Sequence, residues 1–180
     1  FEVDEHVREN TTLDGLQSLR PAFDKEGVVT AGTSSPLTDG AAAVIVCSED
    51  YAKSNKLKML AYIRGMAISG CSPEIMGIGP VVSSQKALKR AGLKLEDIDI
   101  IEMNEAFAAQ SLACVDELGI DMSKLNIHGG ALAMGHPLGA SGARITGKAA
   151  SLLQKNGARY ALSTMCVGGG QGCATILERA

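Results

Sequence analysis

Short apolar runs rich in β-branched residues alternate along this chain with segments whose apolar residues recur at helical spacing, and glycine or proline marks the junctions. That alternation confines the chain to an α/β fold. Residues 13–19 read as a short helix stopped by Arg20-Pro21, and residues 30–40 as a loop. Residues 41–46 read as a buried strand and 49–56 as a polar helix. A second strand spans 59–70, and the two glycines and two prolines of 73–80 make a connection. Ser83-Ser84 cap a helix that Gly92 ends. Ile98, Ile100 and Ile101 mark a short strand over 98–103. A helix over 105–118 follows, stopped by Gly119, with Asn104 at its N-cap in the simplest reading. The glycine-rich stretch 129–142 leads into a helix over 143–155, and strands over 159–166 and 173–178 flank Gly168-Gly169-Gly170-Gln171-Gly172.

With 180 residues, 46% of them hydrophobic and 21% charged, the chain can pack one domain or one domain with an appended piece. A net charge of −3 offers nothing to nucleic acid or an anionic membrane, and 3% aromatic content without Trp leaves no platform for stacking bases. Five cysteines (Cys47, Cys71, Cys114, Cys166 and Cys173) are odd in number and lack a CxxC pair. They support neither a disulfide framework nor a metal site, and reduced thiols in the cytoplasm are expected. No apolar run is long enough to span a bilayer, and the charged N-terminus lacks the apolar region of a signal peptide. The chain opens on Phe1, not Met, so a piece of something longer is expected.

Three segments carry side chains suited to chemistry. In residues 129–142, His136 is one of only three histidines, and Pro137 restricts it to extended backbone. A fixed imidazole suits a general base or an oxyanion donor; a histidine in an ordinary turn is the competing reading. Cys166 ends an apolar strand ahead of glycines whose N–H groups are free to face a developing negative charge. It suits a nucleophile or an acid/base thiol, against the alternative of a buried Cys before a hairpin. Asn104, between a strand and a helix, is either a helix cap or an amide that positions water or an oxyanion. Gly139-Ala140-Ser141-Gly142 resembles a nucleophile elbow only loosely, and the glycine run at 168–172 is neither a dinucleotide fingerprint nor a P-loop.

Asn-Glu-Ala-Phe-Ala (104–108), Gly-Gly-Ala-x-Ala-x-Gly-His-Pro-x-Gly-x-Ser-Gly (129–142) and Cys-x-Gly-Gly-Gly-Gln-Gly (166–172) together resemble the thiolase family, in order and in spacing. Residues 19–24, 29–32, 39–43 and 76–80 extend the resemblance over essentially the whole chain. The resemblance implies a layered α-β-α-β-α fold, mainly its C-terminal half: residues 1–38 ending a loop domain, 39–59 closing the N-terminal domain, and 60–180 forming the C-terminal domain. It implies an acyltransferase that interconverts 3-ketoacyl-CoA plus CoA with acyl-CoA plus acetyl-CoA. The Thr33-Ser34-Ser35 variant points to fatty-acid degradation; a biosynthetic acetyltransferase or a non-catalytic CoA-binding fragment are the alternatives.

By that resemblance His136 activates the nucleophile, Cys166 is the second, acid/base cysteine, Asn104 holds water in one oxyanion hole, and the Gly168 N–H serves the other. Ser35, Phe23, Ala106 and Phe107 match the pantetheine channel. Coenzyme A enters as substrate, with no bound cofactor and no metal implied. The implied partners are CoA thioesters, the chain's own N-terminal half, and further copies in a homodimer or homotetramer, with neither nucleic acid nor membrane. His128 stands where the family usually has Asn, a change expected to touch loop support. The family's nucleophile lies in a Cys-x-Ser setting that Cys47, Cys71 and Cys114 do not match.

Overall fold

The computed structural model describes residues 2–180; Phe1 lies outside them. Two short helices, α1 (Leu13–Gln17) and α2 (Glu49–Ser54), come first. The rest runs β1 (Ala61–Gly70), α3 (Gly79–Ala91), β2 (Ile100–Met103), α4 (Ala108–Leu118), α5 (Ala131–Met134), α6 (Leu138–Asn156), β3 (Tyr160–Val167) and β4 (Gln171–Arg179). The strands form one sheet in the order β1-β4-β3-β2. β3 and β4 are a hairpin, β1 runs antiparallel to β4, and β2 runs parallel to β3. A parallel neighbour cannot be reached by a tight turn, so the chain crosses over between β2 and β3, through α4, α5 and α6.

Successive strand residues point to opposite faces, and both faces are covered. Ile101, Leu162 and Ile176 pack with Val81 and Leu88 of α3 and with Cys114 and Val115 of α4. Their neighbours Ile100, Ala161 and Leu177 pack with Ala149, Leu152 and Leu153 of α6. This double covering explains why β2 is buried at every position, with Ile100, Ile101 and Met103 apolar and the one charged residue, Glu102, paired with Lys148. Three layers result, α3 and α4 on one side of the sheet and α6 on the other. Gly92, Gly119 and Gly157 end α3, α4 and α6 in the left-handed conformation that their sequence positions suggest. No helix among the described residues is long and apolar enough to cross a membrane.

Four expectations need correction. Residues 41–46 are extended but belong to no strand, and Ile45 is 86% exposed. A β-branched run makes a strand only where another strand offers hydrogen bonds, and none of the described strands does so here. The α3 helix begins at Gly79, ahead of Ser83-Ser84, with Pro80 in its first turn, where a missing N–H costs nothing. The two serines lie inside the helix: Ser83 donates to the Gly79 carbonyl, and Ser84 meets the Thr164 hydroxyl at 3.2 Å. Asn104 caps nothing, because α4 starts at Ala108 with Phe107 at the N-cap. Finally, α6 begins at Leu138, five residues ahead of expectation, so Gly139, Ser141 and Gly142 are helical.

Candidate active site

The C-terminal ends of the parallel strands β2 and β3 carry the two buried candidates. Asn104 directly follows β2, and its N–H donates to the Thr164 carbonyl at 3.0 Å, prolonging the ladder by one residue. Its side chain is fully buried, with Oδ1 unpartnered. A buried unsatisfied acceptor costs about 1–3 kcal/mol, so this amide is suited to a donor from water or substrate. Cys166 lies two residues beyond Thr164, paired with Gly172 across the hairpin and 5% exposed. Burial pushes its thiol above the ordinary cysteine range, with smaller contributions from Cys173 and Cys71. Cys166 is therefore a protonated thiol at neutral pH. Gly168 follows in the exposed turn between β3 and β4.

His136 reaches this end from the crossover. It leads into α6, whose N-cap is Pro137. Its N–H donates to Thr38 Oγ1 at 3.2 Å, its Nε2 lies 3.3 Å from Asn104 Nδ2, and its Nδ1 lies 2.5 Å from Ser141 Oγ. Burial lowers the imidazole pKa, and the positive charge of Arg144 lowers it further. The ring is neutral near pH 7 and able to accept a proton.

A second set of contacts fixes the loops that carry these groups. Asn126 accepts from the Met103 N–H at 2.9 Å and donates to the Met103 carbonyl at 2.9 Å and to Glu105 Oε1 at 2.7 Å. Glu105 Oε2 accepts the Leu132 N–H at 3.0 Å. The carboxylate thus links the loop after β2 to α5, the short helix that leads to His136. Gly130 makes this possible, since a Cβ there would overlap the carboxylate. Beneath it, Lys148 Nζ lies 3.0 Å from buried Glu102 Oε1 and donates to the Gly129 carbonyl at 2.8 Å. Burial raises the Glu102 pKa against the opposing pull of Lys148.

Of the expected channel residues, three are brought together. Ser35 donates through both N–H (3.0 Å) and Oγ (3.1 Å) to the Ala106 carbonyl, and Ser34 bridges Phe107. Phe23 stands apart in character, 82% exposed on the N-terminal segment. His128 is exposed. Among the described residues no three His, Cys, Asp or Glu side chains converge to hold a metal ion. Residue-type reasoning did not single out Thr38 or Glu105. Glu105 is adjacent to Asn104, and a carboxylate in an apolar strand-to-helix junction was the available signal.

A neutral imidazole, an unpartnered buried amide and a buried thiol at the carboxyl ends of parallel strands define the class: an α/β protein with an enzyme-like site. Residues 57–179 match the family described as "Thiolase, C-terminal domain" and residues 1–50 the one described as "Thiolase, N-terminal domain". The chain belongs to the thiolase family. It is 58% identical to a 3-ketoacyl-CoA thiolase of Yersinia enterocolitica and 56% identical to one of Vibrio parahaemolyticus, over 99% of this chain and 47% of each relative. Human mitochondrial 3-ketoacyl-CoA thiolase superposes with a TM-score of 0.96 at 53% identity, covering 99% of this chain and 45% of that one. A Bacillus anthracis acetyl-CoA acetyltransferase gives 0.95 at 45% identity, covering 98% and 45%. The chain therefore spans about half the length of the relatives it matches.

Proposed function

We propose that this chain is the C-terminal part of a thiolase-type acyltransferase that cleaves 3-ketoacyl-CoA with CoA to give acyl-CoA and acetyl-CoA. The observation that carries the proposal is the meeting of a neutral His136 with the buried Asn104 amide at the strand ends that also bear Cys166. The family membership supplies the acyl chemistry. In this reading residues 1–38 end a loop domain, 39–59 close an N-terminal domain, and 60–180 are the C-terminal domain. The nucleophilic thiol comes from residues outside these 180. Cys114 is no substitute, since it is buried in the core with its pKa pushed up to about 11.

His136 takes the proton of that nucleophile, whose thiolate attacks the 3-keto carbon. The carbon–carbon bond breaks, leaving an acyl-enzyme thioester and the enolate of acetyl-CoA, which takes the proton of Cys166. The Cys166 thiolate then deprotonates the incoming CoA thiol, which displaces the acyl group and returns the nucleophile. Asn104, through a bound water, and the Gly168 N–H stabilise the oxyanions, each donor being worth about 3 kcal/mol of barrier. CoA is substrate, with Ser35, Ala106, Phe107 and Phe23 along its pantetheine arm. Copies of the whole protein assemble as a homo-oligomer.

Degradation is favoured over synthesis because the relatives named 3-ketoacyl-CoA thiolase stand at 50–58% identity and the acetyltransferase at 45%. The test is a thiolysis assay on the intact protein with 3-ketoacyl-CoA substrates. Activity that vanishes in Cys166→Ser and His136→Ala supports the proposal. An intact protein without thiolysis overturns it, and robust cleavage by the 180-residue chain alone overturns the placing of the nucleophile outside these residues.

A further inference from the structure

We infer that Ser141 is the positioning residue for His136: its hydroxyl holds the imidazole in the Nδ1–H form and leaves Nε2 as the basic nitrogen. The mechanism above does not use Ser141, whose glycine-flanked setting resembles a nucleophile elbow. The side chain is fully buried in the first turn of α6. Its Oγ lies 2.5 Å from His136 Nδ1 and 3.1 Å from the Pro137 carbonyl. A carbonyl can only accept, and a serine has one hydroxyl proton. With that proton on the Pro137 oxygen, Oγ turns a lone pair to Nδ1, and Nδ1 must carry hydrogen. At the far side of the ring the group facing Nε2, 3.3 Å away, is the Asn104 amide Nδ2, a donor. A donor requires a bare Nε2, so the contacts on both sides of the ring select the same tautomer.

The α6 helix contributes a second condition. Arg144, one turn beyond Ser141, opposes protonation of the ring, so the imidazole is held neutral as well as oriented. A serine engaged on both sides within a helix is not free to act as a nucleophile. A serine that only returned its hydroxyl to the helix carbonyl would leave the ring indifferent to its removal.

This inference rests on the acyl-transfer reading for its kinetic test and is independent of it for its spectroscopic one. In the intact protein, Ser141→Ala is expected to lower kcat for thiolysis by about 10–100-fold, the usual scale for a group that orients a catalytic ligand. KM for the thioester is expected to stay within about twofold. Ser141→Thr, which keeps the hydroxyl, is expected to restore most of kcat. In 15N-histidine NMR, the resonance identified by its loss in His136→Gln is expected to report Nδ1–H in the wild type and a mixture of tautomers in Ser141→Ala. An Nε2–H ring in the wild type overturns the inference, whether or not Ser141→Ala folds. So does a Ser141→Ala protein with unchanged kcat or unchanged tautomer. A wild-type protein without thiolysis defeats the acyl-transfer reading, and the NMR then still decides the role of Ser141.

Discussion

His136 must be uncharged to take a proton, and its surroundings are arranged against the cation. Burial and the Arg144 charge depress its pKa below the ordinary value of 6.5. Because the base form persists down to that lowered pKa, kcat/KM for thiolysis is expected to stay level to below pH 6.5 before its acid limb falls. Replacing Arg144 with Met removes one of the two causes, so the acid limb is expected to move to higher pH; a limb that stays in place would show that burial alone sets it. Cys166 works in the opposite sense. Burial raises its pKa above 9.0, which in the proposed mechanism keeps the proton that the departing enolate takes. In the proposed mechanism Asn104 holds the water that donates to charge present only during the reaction, so Asn104→Ala is expected to lower kcat by about 100–1000-fold in steady-state assays. KM should change little, because that water meets the substrate's charge mainly in the transition state.

The elements hold these residues through contacts between loops as well as through the sheet. Glu105 takes one hydrogen bond from Asn126 and one from the Leu132 backbone, joining the loop that carries Asn104 to α5, which precedes His136. Glu105→Ala strands the Leu132 N–H and loosens Asn126, and is expected to cost about 1–3 kcal/mol in a denaturation experiment on the intact protein. Gly130→Ala, which sets a methyl against the same carboxylate, is expected to act in the same direction. This linkage was not legible in the sequence, since nothing in the spacing of Glu105, Asn126 and Leu132 says that they meet. The buried strands β2, β3 and β4 and the helix stops at Gly92, Gly119 and Gly157 were legible, because they rest on local preference and on a core within this chain. Helix starts fall earlier than the sequence suggests at α3 and α6, where Pro80 and Pro137 open the helix, and Ser83-Ser84 look like caps of α3 but lie inside it. His136, Cys166 and Asn104 could be named from residue type and motif. The partners of His136 could not, since Thr38 and Asn104 are far from it in sequence and Ser141 depended on where α6 begins.

At the scale of the whole molecule, two apolar surfaces lack a cover among the described residues. The α6 helix shields the β2 and β3 half of its sheet face, while Met66 and Ile68 of β1, on that same side by alternation, are 56% and 73% exposed. The extended run at 44–46 presents Val44, Ile45 and Val46 with no strand beside it. A lone domain rarely leaves such residues bare unless something packs on them. In the proposed arrangement both surfaces belong against the N-terminal half, which offers the strands that 41–46 lacks and a layer for the uncovered sheet. An exposed, unpaired β-branched segment is also a template for pairing with copies of itself. The purified 180-residue chain is therefore expected to self-associate, with a mass that rises with concentration in light scattering. Co-expression with the missing half is expected to suppress that rise and to restore thiolysis together, because in the proposed arrangement the same half covers these surfaces and supplies the nucleophile. A chain that stays monomeric at all concentrations would mean these apolar residues are tolerated in water, and would remove the argument that they mark the seam between the halves.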